Sequence, residues 1–209
     1  MTGSPNRMFH ARFILAASER YALAQVRVAG ERAPDRDKFV GWALPHAFFA
    51  VAGLRMALEY AAHDVQKRCL PGCTRESTFP LCDDLHSFES VMGSRFPGLK
   101  EGRRDIWEAF LRMQPFSHMG FDSLGVLNEL WQHSKHIDLD GTMTHELVAT
   151  FEDPKGGSSD TVRRYFLTYG EGKPLLELLQ LAVKQVGAAL TELEGLLGTP
   201  SPPTSGGPP

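Results

Sequence analysis

Hydrophobic positions along the chain recur mostly at three- and four-residue steps, the period that lines side chains up on one face of an α-helix. A first helix is predicted over about Phe9 to Ala29, with Phe9, Phe13, Ile14, Ala17, Tyr21, Ala24 and Val28 on its apolar face and Gly30 as its stop. The charged stretch Glu31 to Lys38, which contains Pro34, reads as a loop. A second helix is expected from about Pro45 to Arg68, since proline suits a first helical position, where its missing N–H would have no partner anyway. Phe48, Val51, Ala52, Leu58, Ala62 and Val65 give it an apolar face, and frequent Ala and Gly would let a neighbouring helix approach closely.

Pro71-Gly72 marks a turn, and a third helix begins near Asp83 or Asp84, either of which can cap it. Its stripe is Leu85, Phe88, Val91 and Met92, and it ends before Pro97-Gly98. A fourth helix, about Arg103 to Met113, stops at Gln114-Pro115, and a fifth covers about Asp122 to His136. The pattern then changes: Leu147 to Phe151 and Val162 to Thr168 are β-prone, and the Gly- and Ser-rich stretch between them reads as the loop of a hairpin spanning about 145–169. A sixth helix opens at Pro174 and keeps its apolar period to Leu197, with Gly198 at the C-terminal cap.

These elements predict a mainly α fold: one helical-bundle domain over 1–198, with about six helices and a small β-hairpin before the last. Residues 199–209 are Pro, Ser, Gly and Thr only and are expected to be a disordered tail.

Composition narrows the class. Of 209 residues, 42% are hydrophobic and 22% charged, which suits a globular core rather than a disordered chain. The net charge of −3 is unevenly placed: residues 1–68 carry ten Lys and Arg against six Asp and Glu. The longest uncharged run, Phe39 to Leu54, is sixteen residues. A membrane-spanning helix needs about 20. The apolar run after Arg12 is too short for a signal-peptide core. A cytoplasmic protein without a membrane partner is expected. The small-residue face of the second helix and the long final helix suit a homodimer interface.

Two clusters carry possible chemistry. Cys69, Cys73, Cys82 and His86 fall close together, and zinc takes four such ligands. The spacing lacks the usual pair of cysteines two residues apart, and buried free cysteines are common in cores, so no metal or cofactor is assigned. Arg55, Glu59 and His63 lie at four-residue steps on the second helix, and Glu129, His133 and His136 at similar steps on the fifth, with Lys135 among them. If the stripes face each other, Arg55 can hold a phosphate or carboxylate, a histidine can move a proton and Lys135 can stabilise an anion. The plainer reading is that the pairs are ordinary surface contacts. There is no phosphate loop of the Gly-x-x-x-x-Gly-Lys type, no Gly-x-Gly-x-x-Gly, no Gly-x-Ser-x-Gly and no His-Glu-x-x-His.

Four short stretches agree in order and rough spacing with a known group. They are Leu54-Arg55-Met56-Ala57-Leu58-Glu59-Tyr60, Phe79-Pro80-Leu81, Gln114-Pro115-Phe116 and Gln132-His133-Ser134-Lys135-His136-Ile137. Over residues 45–140 the chain resembles uncharacterised bacterial helical proteins with a HEPN-like (higher eukaryote and prokaryote nucleotide-binding) bundle. The resemblance implies action on RNA or a nucleotide, in its fullest form as a metal-independent ribonuclease of a toxin or defence system. Arg55 and His136 would then be catalytic, with Lys135, Glu59 and His63 binding substrate. The chain departs from the group at Tyr60, where a histidine is usual, and at Gln132 and Ser134. Arg55 and His63 are also one position further apart than the Arg–His pair of HEPN ribonucleases. The alternative is a non-catalytic interaction module whose polar cluster is structural; a zinc-stabilised scaffold is a third reading.

Overall fold

The computed structural model describes residues 7–75, 77–117, 122–134, 142–151, 160–169 and 172–198. It is mainly helical, with a small three-stranded antiparallel sheet before the C-terminal helix. The tail 199–209 and the hairpin loop 152–159 lie outside the described residues.

The first helix differs from its expected form at both ends and in its middle. It comprises α1 (Arg7–Ala17), a π-helical segment (Ser18–Leu23) and α2 (Ala24–Arg32). The π-segment shifts the helical phase, and the buried side becomes Met8, Ala11, Ser18, Ala22, Leu23, Val26 and Ala29. Phe9, Phe13 and Tyr21, expected in the core, are instead 65%, 66% and 73% exposed. Two apolar stripes compete on this helix, and the one made of smaller residues allows the closer approach to its neighbour. Gly30 does not stop the helix. It is buried, and a Cβ there would sit 2.5 Å from the Tyr165 carbonyl oxygen, so it serves a close approach to the sheet.

The second long helix, α3 (Arg36–Cys69), begins nine residues before Pro45. Asp35 caps it by accepting from the Lys38 N–H at 2.8 Å, and buried Phe39 anchors the first turn by stacking on Tyr165, centroids 5.7 Å apart. Pro45 is therefore an interior proline. It is tolerated because Gly41, whose carbonyl loses its helical partner there, is exposed with nothing close to it. The rest of the loop expected over Glu31 to Lys38 shrinks to the short link between α2 and α3.

The third predicted helix is α4 (Leu85–Arg95), capped by Asp84, which accepts from the Ser87 N–H at 2.8 Å. The short α5 (Leu99–Gly102), then α6 (Arg104–Arg112), α7 (Asp122–Ser134) and α8 (Leu175–Gly198) follow. The sheet is β1 (Thr142–Phe151), β2 (Asp160–Tyr169) and β3 (Lys173–Pro174), in that order. The hairpin is longer than expected, and the third strand takes Pro174, which was expected to open the last helix. Buried Tyr165 and Leu167 alternate with exposed Arg164 and Phe166 on β2, which lies on α2 and α8.

The core is built around α3, which packs against α1, α2, α7 and α8. Of its small residues, Ala47, Ala50, Ala57, Ala61 and Ala62 are fully buried inside the chain, while Ala52 is partly exposed. Helix α3 is long and apolar enough to cross a membrane by composition, but its position is that of a core helix.

Candidate functional site

The stripe Arg55, Glu59 and His63 lies on α3 beside the loop that leads into α4. Each of the three side chains meets that loop. Arg55 Nη2 donates to the Phe79 carbonyl at 3.0 Å, and Glu59 Oε2 accepts from the Phe79 N–H at 2.8 Å. The His63 Nδ1 lies 2.8 Å from Ser77 Oγ. Arg55 and Glu59 also pair directly at 2.8 Å.

From the other side the loop is held by Gln114. This amide is fully buried; it donates to the Pro80 and Phe110 carbonyls at 2.9 and 2.8 Å and accepts from the Cys82 N–H at 3.0 Å. Three of the four stretches singled out in the sequence, around Arg55, Phe79-Pro80-Leu81 and Gln114-Pro115, thus converge on one loop.

The same elements enclose a cleft of about 580 Å³, lined among others by Arg7, Arg55, Glu59, His63, Arg95 and Trp131. Among the described residues of that lining, Glu59 is the one acidic residue, against three arginines. Tyr60, Ser77, Thr78 and Gln132 also line it, and the Arg7 guanidinium lies 6.0 Å from the centre of the Tyr60 ring. Arg55 is buried, and its Nε and Nη1 have no hydrogen-bond partner among the described residues. Burial pulls the Arg55 pKa below its ordinary value; Glu59 opposes this and Arg95 adds to it. His63 is likewise pushed down, first by burial and then by Arg7 and Lys67. It is therefore neutral at pH 7 and able to accept a proton.

The arrangement suits an anion. Three arginines supply positive charge, and the Trp131 ring lines the same cleft.

The expected apposition of two polar stripes is realised only in part. Arg55, Glu59 and His63 do meet α7, but through Trp131 and Gln132. Glu129 points elsewhere, accepting from the Tyr169 hydroxyl at 3.0 Å, because its side of α7 faces the sheet. That contact and burial push the Tyr169 phenol up to about 12, with burial the larger cause. His136 and Lys135 lie outside the described residues, as does the side chain of His133. Arg7, Arg95 and Trp131 escaped the sequence reading. They come from three separate helices, and no spacing signal joins them.

The cysteine cluster does not assemble. Cys73 lies by Gln66 and the Arg95 carbonyl, while Cys82 is buried near Gln114, and burial raises the Cys69 and Cys82 pKa values. No group of three His, Cys, Asp or Glu among the described residues is placed to hold a metal ion.

Comparison with protein-family models, curated proteins and solved structures found no match to the chain. The reading of function rests on the residues of the cleft.

Proposed function

We propose that the cleft between α3, the 77–80 loop, α4 and α7 binds a phosphate group of RNA or a nucleotide. The observation that carries this reading is Arg55: a buried guanidinium that lines the cleft, with no hydrogen-bond partner for Nε and Nη1 among the described residues. Arg7 and Arg95 add charge, and Trp131 offers a face on which a base can stack. In the fuller form of the proposal, His136, four residues after Gln132 in the sequence, is the acid–base group of a metal-independent ribonuclease, with Lys135 on the phosphate and His63 and Glu59 assisting. The HEPN-like resemblance supports that form.

A second reading is favoured by a specific observation. Arg55, Glu59 and His63 all fasten the 77–80 loop, so the cluster is also what a structural clip in a non-catalytic interaction module requires.

The test is incubation of the purified protein with total RNA in EDTA, beside His136→Ala and Arg95→Ala, with binding of a labelled RNA oligonucleotide followed in parallel. Cleavage and binding by the wild type, cleavage lost in His136→Ala and binding weakened in Arg95→Ala are expected. Binding without cleavage would overturn the ribonuclease form and leave a binding module. Absence of both would overturn phosphate recognition.

A further inference from the structure

Beside the cleft, and meeting it at Met56, lies a band of exposed large side chains on α1, the π-segment and α3. Phe13 is 66% exposed, Tyr21 73%, Trp42 47%, Phe49 61% and Met56 45%. On α3 the three exposed residues are spaced by seven, with Pro45 and Ala52 between them, so they form a continuous helical seam of the kind that meets another helix. The α1 and α3 helices are antiparallel neighbours. The His10 and Tyr60 rings are 6.0 Å apart, and a Cβ on Gly53 would meet Ser18 and Ile14. This alignment sets Phe13 level with Met56 and Tyr21 level with Phe49, so the rings of both helices belong to one surface.

We propose that this surface pairs with the same surface of a second copy of the chain. The first argument is area. At about 150–250 Å² per large side chain, the five residues present roughly 440–730 Å² of mostly apolar surface. That is at or above the largest patch of a typical monomer, about 300–600 Å². With Pro45, Ala52 and a polar rim it approaches the roughly 800 Å² per partner of a standard interface.

The second argument is shape. Along the seam, large residues (Trp42, Phe49, Met56) alternate with small ones (Pro45, Ala52), and half-exposed Ala17 lies on the neighbouring helix. A twofold axis between two such surfaces sets the large residues of one copy into the gaps of the other, which is what a self-complementary interface needs. The segment Phe39 to Leu54 also carries no charge that would have to be desolvated or paired across the contact.

This inference does not rest on the phosphate reading: Met56 also lines the cleft, but Phe13, Tyr21, Trp42 and Phe49 do not, and the tests use Phe13 and Phe49. The experiment is light scattering with size-exclusion chromatography of the full chain over a range of concentrations. The expected wild-type mass is twice 23.1 kDa. Phe49→Glu and Phe13→Glu are each expected to give 23.1 kDa with an unchanged helical circular dichroism spectrum. Leu181→Glu, at an exposed position on α8, keeps the dimer. A wild type that is monomeric throughout, or a dimer that survives both ring substitutions, overturns the proposal. If a monomeric wild type loses affinity for single-stranded RNA on Phe49→Ala, the band is a base-stacking platform and the dimer is equally refuted.

Discussion

Arg55 reaches Glu59 and the Phe79 carbonyl through the same nitrogen, Nη2, at 2.8 and 3.0 Å. Nη2 is committed to the fold, while Nε and Nη1 have no partner among the described residues. Structural and binding roles separate on mutation. Arg55→Met is expected to cost about 2 kcal/mol in urea denaturation, because it strands a buried carbonyl and the Glu59 carboxylate, and to abolish binding of an RNA oligonucleotide. Glu59→Gln keeps an acceptor for the Phe79 N–H but removes the carboxylate that competes with an incoming phosphate. It is expected to tighten binding roughly tenfold, measured by fluorescence anisotropy. Unchanged or weaker binding in Glu59→Gln would show that the ligand does not meet Arg55.

Gln114 satisfies the 79–82 loop from the core side with two hydrogen bonds, to the Pro80 carbonyl and from the Cys82 N–H, makes a third to the Phe110 carbonyl, and has no exposure. Gln114→Leu preserves approximate volume and leaves two carbonyls and one N–H without this partner. The expected loss is about 2–4 kcal/mol by chemical denaturation. A loss under about 1 kcal/mol would mean that the loop finds other partners.

The His63 pKa is depressed in the folded chain, first by burial. The unfolded chain therefore takes up this proton first as pH falls. The stability contribution of His63 is whole above the unfolded value of about 6.5 and is lost as pH falls towards the folded value. Comparing wild type with His63→Gln from about pH 8 to about pH 5 should show the wild type losing its advantage on the acid side. Binding runs the other way. A phosphodiester beside His63 favours its protonated form, so oligonucleotide affinity should rise as pH falls from about 7.5 to about 5.5 and stay flatter in His63→Gln. A pH-independent difference between the two proteins would exclude His63 from both effects.

Gly53 is fixed by contact rather than by backbone angle. A Cβ there would lie 2.1 Å from Ser18 Oγ, and that hydroxyl already donates to the Ile14 carbonyl at 3.0 Å. Gly53→Ala is expected to cost about 1–3 kcal/mol in thermal or urea unfolding. Adding Ser18→Ala removes the clashing atom and should recover most of that loss; additive losses in the double variant would refute the contact.

Much of the fold is legible in the sequence, and the exceptions share a cause. The last helix is long and strongly periodic, so one face dominates, and Leu175, Leu179, Ala182, Val186, Ala189, Leu190 and Leu193 are buried; Gly198, expected just beyond its end as the cap, is its last helical residue. The first helix offers two apolar stripes, and no local rule says which one will meet α3. The close fit of Ser18 against Gly53 is one contact that favours the observed face. Pro45 misled for a similar reason: a proline scores as a helix start, but Phe39 against Tyr165 holds the helix together six residues earlier. At the site, the four-residue spacing of Arg55, Glu59 and His63 was enough to find one wall. Arg7 and Arg95 come from remote segments and depend on packing for their place.

The π-helical turn at Ser18–Leu23 has an evolutionary reading. A π-turn holds about one residue more than the α-helix around it, so it behaves as an insertion absorbed without breaking the rod. Excising one residue there would rewind the segment and rotate everything before it by about 100°. Arg7 would swing away from the cleft, and Phe9 and Phe13 would move off the outer surface. A single codon gained or lost in this segment therefore edits both surfaces at once, while leaving the rest of the helix intact.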